Sequence, residues 1–361
     1  MKKAVFLSYS LGNSSISDYY SALAEKLKQN YQVVVFSDVR FPEKDIISED
    51  IIVKYWPSKR PTKFADGIFL YRNMKQYKPV MTISVFGSVN IFLIVGFLLR
   101  VKVRVAWIST LSTQFEQKKK AVFRKSLIYK LATNIISNSI ATKEDSIKNF
   151  KIAEKKIKVL PNSVRDQIYE INNTDDNSRF ILFVGRLHKS KGVEVLIKAF
   201  AKIHNQFSDF KLIIIGGGEE EEYLKELVRN SNLEEFILFK GNQSKRIVLE
   251  AFKKSYISVV PSLSEAFGFT VIEAMSMNTL IIGSNNTGIK EIIKDNVTGF
   301  LFDTGNVENL AEKMTIAIQQ PELRDKLALS GFYHFQKNYE TKFAIKRDIT
   351  FFESLINNVN G

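Results

Sequence analysis

The sequence predicts an α/β protein built as two Rossmann-like domains, each a parallel sheet covered by helices, facing each other across a cleft. Three observations predict it. The chain has 361 residues, long for one domain and comfortable for two. Short apolar strand candidates alternate with amphipathic helices from end to end, the pattern of parallel sheets. A polar stretch, Asn172-Asn173-Thr174-Asp175-Asp176-Asn177-Ser178, interrupts this alternation, which then restarts. The expected divisions are 1–162, 163–338, and a terminal helical segment 339–361 that packs back on the first domain.

In the first half, strands are expected at Ala4–Ser8, Val33–Ser37, Val80–Val85, Val103–Ile108 and Asn134–Ser137, with an amphipathic helix over Ile16–Gln29. Ile157–Leu160 leads into Pro161-Asn162-Ser163-Val164, read as a hinge. In the second half, strands are expected at Phe180–Val184, Lys211–Ile215, Ile237–Phe239, Ile257–Val260 and Leu280–Gly283. Helices are expected over Gly192–Asn205 and Glu219–Asn230, and at the end over Tyr339–Asn360.

Composition excludes several classes. Without a cysteine there is no disulfide and no thiolate metal site, which points to a reducing cytoplasm. The apolar run after Met1 is short and soon polar, so it reads as a first strand rather than a signal peptide. Ile91–Leu99 is the most apolar segment, yet a membrane-spanning helix takes about 20 residues. A core helix is expected there, although it could also join a membrane-facing surface. His188, His204 and His334 are too scattered for a metal site, no Asp-x-Asp triplet occurs, and Asp175-Asp176 falls in the polar linker.

The net charge of +14 is unevenly placed. Residues 1–165 carry 29 Lys and Arg against 12 Asp and Glu, whereas 166–361 carry 23 against 26. A basic half of this kind suits an anionic surface. Lys118-Lys119-Lys120, Arg124-Lys125 and Lys130 surround Val122, Phe123, Leu127 and Ile128, a basic amphipathic helix that would lie well on an anionic bilayer. Nucleic acid is a poor partner, because no aromatic stacking pattern, zinc ligands or recognition helix accompanies the charge.

Three clusters in the second half follow strand ends, where ligands sit in open parallel sheets. In Gly185-Arg186-Leu187-His188-Lys189-Ser190-Lys191-Gly192, Arg186 and Lys191 are five residues apart before a helix. Cations there suit a pyrophosphate whose charge grows as it departs. Gly216-Gly217-Gly218 turns between strand and helix, with Gly217 a point where a ligand could come close to the backbone. The third cluster runs Pro261-Ser262-Leu263-Ser264-Glu265-Ala266-Phe267-Gly268-Phe269-Thr270 and on to Glu273-Ala274-Met275. Here Gly268 permits a sharp turn, and the N–H groups of Gly268, Phe269 and Thr270 would open a helix, a phosphate-binding arrangement. Glu265 and Glu273 bracket that turn, eight positions apart.

This third cluster resembles the Glu-x7-Glu element of glycosyltransferase family 4, a group of retaining GT-B enzymes. The likeness continues through Asn286-Thr287-Gly288-Ile289-Lys290-Glu291-Ile292-Ile293 and Asn296-Val297-Thr298-Gly299-Phe300-Leu301, and upstream through the Gly185-Arg186 to Lys191-Gly192 segment. The resemblance implies the GT-B fold and gives each residue a role. Arg186 and Lys191 would hold the diphosphate, Glu273 the ribose and Glu265 the donor sugar. It also implies an acceptor-binding first domain, retention of configuration, and no metal or other cofactor. Gly12, in the loop after the first strand, stands as a diphosphate or sugar contact. Ser109 stands where many members carry a histidine; serine can hydrogen-bond a hydroxyl but cannot relay a proton near neutral pH.

The expected function is therefore transfer of a sugar, hexosyl or N-acetylhexosaminyl, from a UDP-sugar or, as a rival, a GDP-sugar. The expected acceptor is a glycan or lipid-pyrophosphate-linked glycan at the inner face of a bacterial membrane, in O-antigen or capsule synthesis. Ser109 also admits a degenerate or regulatory relative that binds nucleotide-sugar without efficient transfer.

Overall fold

A computed structural model describes residues 2–40, 47–59, 61–114, 118–171 and 179–358. The Asn172–Ser178 linker, with Asp175-Asp176, lies outside the described residues. The chain divides into two compact units, Met1–Ser163 with Thr341–Gly361, and Val164–Glu340. Val164 belongs to the second unit because its N–H bonds the Tyr339 carbonyl and it bridges to Glu340. Ser163 belongs to the first, its hydroxyl 3.2 Å from that of Thr341.

The first unit runs β1 (Ala4–Ser8), α1 (Ser15–Leu27), β2 (Gln32–Ser37), β3 (Ile52–Tyr55), α2 (Phe64–Tyr77), β4 (Met81–Val85), α3 (Val89–Leu98), β5 (Val103–Ile108), α4 (Lys118–Tyr129), β6 (Asn134–Ser137), α5 (Ile140–Lys148) and β7 (Ile157–Val159). Its seven strands pair in the order β3-β2-β1-β4-β5-β6-β7, every pairing parallel. β1 and β4 are buried along their whole length, as expected of strands covered on both faces. The sequence reading has no counterpart to β3. That strand is a four-residue edge element that stays half-exposed, so its apolar signal is weak.

The second unit runs β8 (Phe180–Val184), α6 (Val193–His204), β9 (Lys211–Ile215), α7 (Glu221–Asn230), β10 (Ile237–Phe239), α8 (Lys245–Lys254), β11 (Ile257–Val260), α9 (Phe269–Ser276), β12 (Ile281–Ser284), α10 (Ile289–Ile292), β13 (Phe300–Phe302), α11 (Val307–Gln319) and α12 (Pro321–Asn338). Its parallel sheet has the order β10-β9-β8-β11-β12-β13. In both sheets the first and fourth strands are neighbours and the order reverses there, which makes a switch point at their carboxyl ends.

The last helix, α13 (Thr341–Asn357), packs on α1 in the first unit. Phe352 and Ile356 enter the core there, and the buried Asp348 accepts a 2.5 Å hydrogen bond from the Tyr19 hydroxyl and another from Arg347.

Helix α3 differs from the core helix expected over 91–99. Phe92, Leu93 and Val95 are buried, but Ile94, Phe97 and Leu98 face solvent. An uninterrupted apolar run conceals the helical period, and only packing reveals which face meets the sheet. No described helix is long and apolar enough to cross a membrane.

Candidate active site

The switch point of the second sheet lies between β8 and β11. The loop after β8 carries Arg186 to Gly192, and the loop after β11 carries Pro261 to Gly268. The two loops are joined by backbone hydrogen bonds, the N–H groups of Leu263 and Ser264 both reaching the Ser190 carbonyl at 2.8 and 3.3 Å. Gly192 makes this approach possible. Its φ is +63°, and a Cβ there would stand 2.1 Å from the Pro261 carbonyl oxygen.

That approach brings Lys191 to Glu265, with Nζ 2.5 Å from Oε2. Lys191 is 22% exposed and Glu265 16%, so the pair is sheltered but open to a ligand. Arg186 is exposed, and its side chain has no hydrogen-bond or ion-pair partner among the described residues. A sheltered ammonium held by a carboxylate, with an exposed guanidinium on the same loop, offers two cations to an anion. His188 starts the turn over Lys189–Lys191, its Nδ1 accepting from the Ser190 N–H at 3.1 Å. Its Nε2 is directed at Glu219, 3.5 Å away.

The loop after β11 is fixed from its other side. Ser284 Oγ and Asn286 Nδ2 each donate to the Ser262 carbonyl at 2.6 Å. Gly288 packs so close that a Cβ would lie 2.5 Å from the Glu265 carbonyl oxygen. Gly268, at φ +108°, is the N-cap of α9. Phe269 and Thr270 therefore occupy the first turn of α9, half-exposed, with N–H groups that have no helical acceptor. Glu273 follows one turn later, also half-exposed.

The triple glycine divides its work. A Cβ on Gly216 would come 1.9 Å from the Gly185 carbonyl oxygen and one on Gly218 2.2 Å from that of Leu187, so both serve loop packing. Gly217 faces the Asn242 side chain, where an added Cβ would stand 3.3 Å from Nδ2. The two remaining sequence-predicted residues belong to the first unit. Gly12 lies between β1 and α1, its N–H bonded to Ser10 O and Ser17 Oγ, with open space where a Cβ would stand. Ser109 follows β5, half-exposed. Among the described residues no group of three His, Cys, Asp or Glu could hold a metal ion.

Sequence reasoning missed a hollow of about 300 Å³ at the first sheet's switch point, lined in part by Ser10, Asp38, Trp56, Lys59 and Phe86. Ser10 Oγ donates to Asp38 Oδ1 at 2.5 Å, and Phe86 takes a φ of +50° at the end of β4. The hollow draws on separate strand ends, so only the sheet order assembles it. The one local signal was the repeated placing of polar residues just after apolar strands.

Comparison with known proteins bears on the second unit most directly. Residues 164–331 match the family model of glycosyl transferases group 1. That match spans most of the second unit. The chain is 31% identical over 190 residues to an uncharacterised glycosyltransferase of Methanocaldococcus jannaschii, covering 49% of this chain and 48% of that protein. It is 29% identical over 206 residues to the N-acetylgalactosamine-N,N'-diacetylbacillosaminyl-diphospho-undecaprenol 4-alpha-N-acetylgalactosaminyltransferase of Campylobacter jejuni, covering 56% of this chain and 55% of that one. The chain spans about half the length of these curated relatives. Among solved structures, Anabaena HepE, crystallised with UDP and glucose, superposes with a TM-score of 0.83 at 17% identity, covering 98% of this chain and all of that one. The fold is GT-B, two Rossmann-like α/β domains with parallel sheets.

Proposed function

We propose that this chain is a retaining, metal-independent glycosyltransferase of family 4 that moves a hexosyl or N-acetylhexosaminyl group from a nucleoside-diphosphate sugar to a lipid-linked glycan. The observation that carries the reading is the Lys191–Glu265 pair at the switch point of the second sheet, beside the N-terminus of α9. In the transfer, the bond from the anomeric carbon to the diphosphate oxygen breaks and a bond to an acceptor hydroxyl oxygen forms. The acceptor's proton leaves with the diphosphate or to solvent. Lys191 and Arg186 stabilise the negative charge that collects on the departing oxygen, and the N–H groups of Phe269 and Thr270 add the helix-terminal field. Glu265 accepts hydrogen bonds from the donor sugar and Glu273 from the ribose.

These groups supply the positive charge that a divalent cation otherwise brings, which supports metal independence. Turnover is expected to be unchanged by EDTA; a strict requirement for added Mg²⁺ or Mn²⁺ would overturn this part of the reading. The paired Lys191 and Glu265 also argue against a degenerate site. The hollow lined by Asp38, Trp56 and Phe86 offers an aromatic face beside a carboxylate, a combination suited to an acceptor sugar. The Campylobacter relative is named for a diphospho-undecaprenol acceptor, and that supports a lipid-linked glycan in O-antigen or capsule assembly. The basic first half would hold the enzyme peripherally at the inner, anionic face of the cell membrane.

A thermal-shift screen with UDP, GDP, ADP and their sugar conjugates tests the donor site. UDP and a UDP-sugar are expected to raise Tm, GDP derivatives being the rival, and Glu273→Ala is expected to remove the shift. At a ligand concentration 100 times Kd the stabilisation is about 2.7 kcal/mol, readily seen. Absence of a shift with every nucleotide would sink the donor-site assignment.

A further inference from the structure

Helices α2, α3 and α4 are neighbours on the surface of the first unit and share an apolar face that stays open to solvent. Phe64 on α2 is 85% exposed, Leu98 on α3 65% and Phe123 on α4 67%. Ile68 and Ile94 are exposed beside Phe64 and Leu98, and Phe97 and Leu127 are exposed on α3 and α4. Scattered exposed apolar residues need no explanation, but four gathered around one groove on adjoining helices, with more on the neighbouring α4, mark an interaction surface. A groove of about 880 Å³ opens within it, walled by Phe64, Ile68, Ile94 and Leu98, with Arg72 and Arg124 among its lining residues.

The groove is kept open by sequence. Gly67 lies inside α2, where glycine costs stability relative to alanine. A Cβ there would meet only Ile91 Cδ1, at 3.8 Å, so no packing demand calls for glycine. Charge then narrows the occupant. The α4 sequence holds five basic residues and no acidic one, and α3 holds no charge. On α2, Arg72 and Lys75 are exposed, while its single acid, Asp66, is buried and bonded to the N–H groups of Ser58 and Lys63. An apolar floor with a one-signed basic rim matches a surface that is hydrocarbon within and anionic at its edge. A second copy of the chain would set the two basic rims against each other and is disfavoured.

We propose that this face docks on an anionic phospholipid bilayer, with an acyl chain lodged in the groove and lipid phosphates held by Arg72 and Arg124. The inference deepens the membrane part of the functional reading, on which it rests, and turns an electrostatic contact into a partly inserted one. Apolar side chains and basic residues add their contributions at such an interface. Only the electrostatic contribution is screened by salt.

The test is cosedimentation of the full chain with phosphatidylcholine vesicles, with and without about 30% phosphatidylglycerol. It is run at about 0.1 M and about 1 M NaCl. Wild-type protein is expected on the anionic vesicles at low salt, with part of that binding surviving high salt. The triple variant Phe64→Ser/Leu98→Ser/Phe123→Ser is expected to partition at least about ten-fold more weakly, with unchanged Tm. Because all three side chains are exposed, their loss leaves the core intact. Gly67→Phe, which fills the groove and keeps every charge, is expected to show the same direction of change. Equal partitioning of the triple variant and wild type would overturn the proposal and leave a purely electrostatic contact. A concentration-dependent dimer in sedimentation equilibrium, abolished by the triple variant, would overturn it in favour of a copy-to-copy interface. Failure of wild type to bind anionic vesicles would remove the membrane reading as well. No arm contains a sugar donor, so the transfer chemistry stands or falls on the nucleotide and turnover measurements.

Discussion

Lys191→Ala is expected to lower the rate of sugar transfer about 10²–10³-fold at saturating donor, the scale seen when one preorganised charge-stabilising donor is removed. The argument rests on position. Lys191 is held on Glu265 at 2.5 Å, on a loop zipped to its neighbour by the Ser190 carbonyl, so its ammonium is set before any ligand arrives. A group placed in advance costs no reorganisation when charge develops on the leaving diphosphate. Glu265→Ala is expected to produce a loss of similar size for the complementary reason, since it removes both the acceptor for donor hydroxyls and the partner that orients Lys191. Glu265→Gln separates the two contributions, keeping one hydrogen-bond acceptor while losing the charge. Neither change is expected to unfold the protein, because both side chains keep access to solvent and the partner left behind can be hydrated. Both residues are partly exposed, and neither stands alone beneath a core. The measurements are kcat by product formation and Tm by calorimetry. Rates near wild type in both variants would sink the assignment of this pair, whereas lost rates with a collapsed Tm would show a structural role.

The sequence carried more about the second unit than about the first. The stretches that form β8, β9, β10 and β11 are apolar runs bounded by glycine or polar turns, and their limits could be read directly. β13 is not legible in the sequence, because three residues after Gly299 are too short to show a period. In the loop motifs, residue type and spacing carry the chemistry, so Lys191, Glu265 and Gly268 are legible in the sequence alone. The supporting contacts are not. Asn286 and Ser284 reach Ser262 across more than twenty residues, and their partnership follows from the adjacency of β11 and β12. The same limit hid the Ser10–Asp38 pair, because the order β2-β1-β4 alone brings those loops together. Helix α3 shows a different limit. With no polar residue to mark a solvent side beyond Asn90, composition gives its hydrophobicity and only packing gives its orientation.

Gly192→Ala is expected to destabilise the second unit by about 2–4 kcal/mol, the range reached when a substitution combines backbone strain with overpacking. Two separate costs meet at this residue. A φ of +63° is unfavourable for any residue with a Cβ, and the new methyl group would stand 2.1 Å from the Pro261 carbonyl oxygen. Backbone cannot move aside as a flexible side chain can, so the loops after β8 and β11 must part. Parting them stretches the bonds from Leu263 and Ser264 to Ser190 and draws Lys191 away from Glu265. Turnover is therefore expected to fall with stability, although alanine touches no reacting group. For a unit of this size the loss corresponds to a Tm lower by roughly 4–16 °C. Gly12→Ala is the matched control. Gly12 has no positive φ among the backbone outliers and only open space around its missing Cβ, so its Tm is expected to stay at the wild-type value. Any loss of turnover in Gly12→Ala would then report a ligand passing close to that backbone. Wild-type Tm and turnover in Gly192→Ala would instead show that the two loops are not locked together, and the preorganisation argued for Lys191 would fall with them.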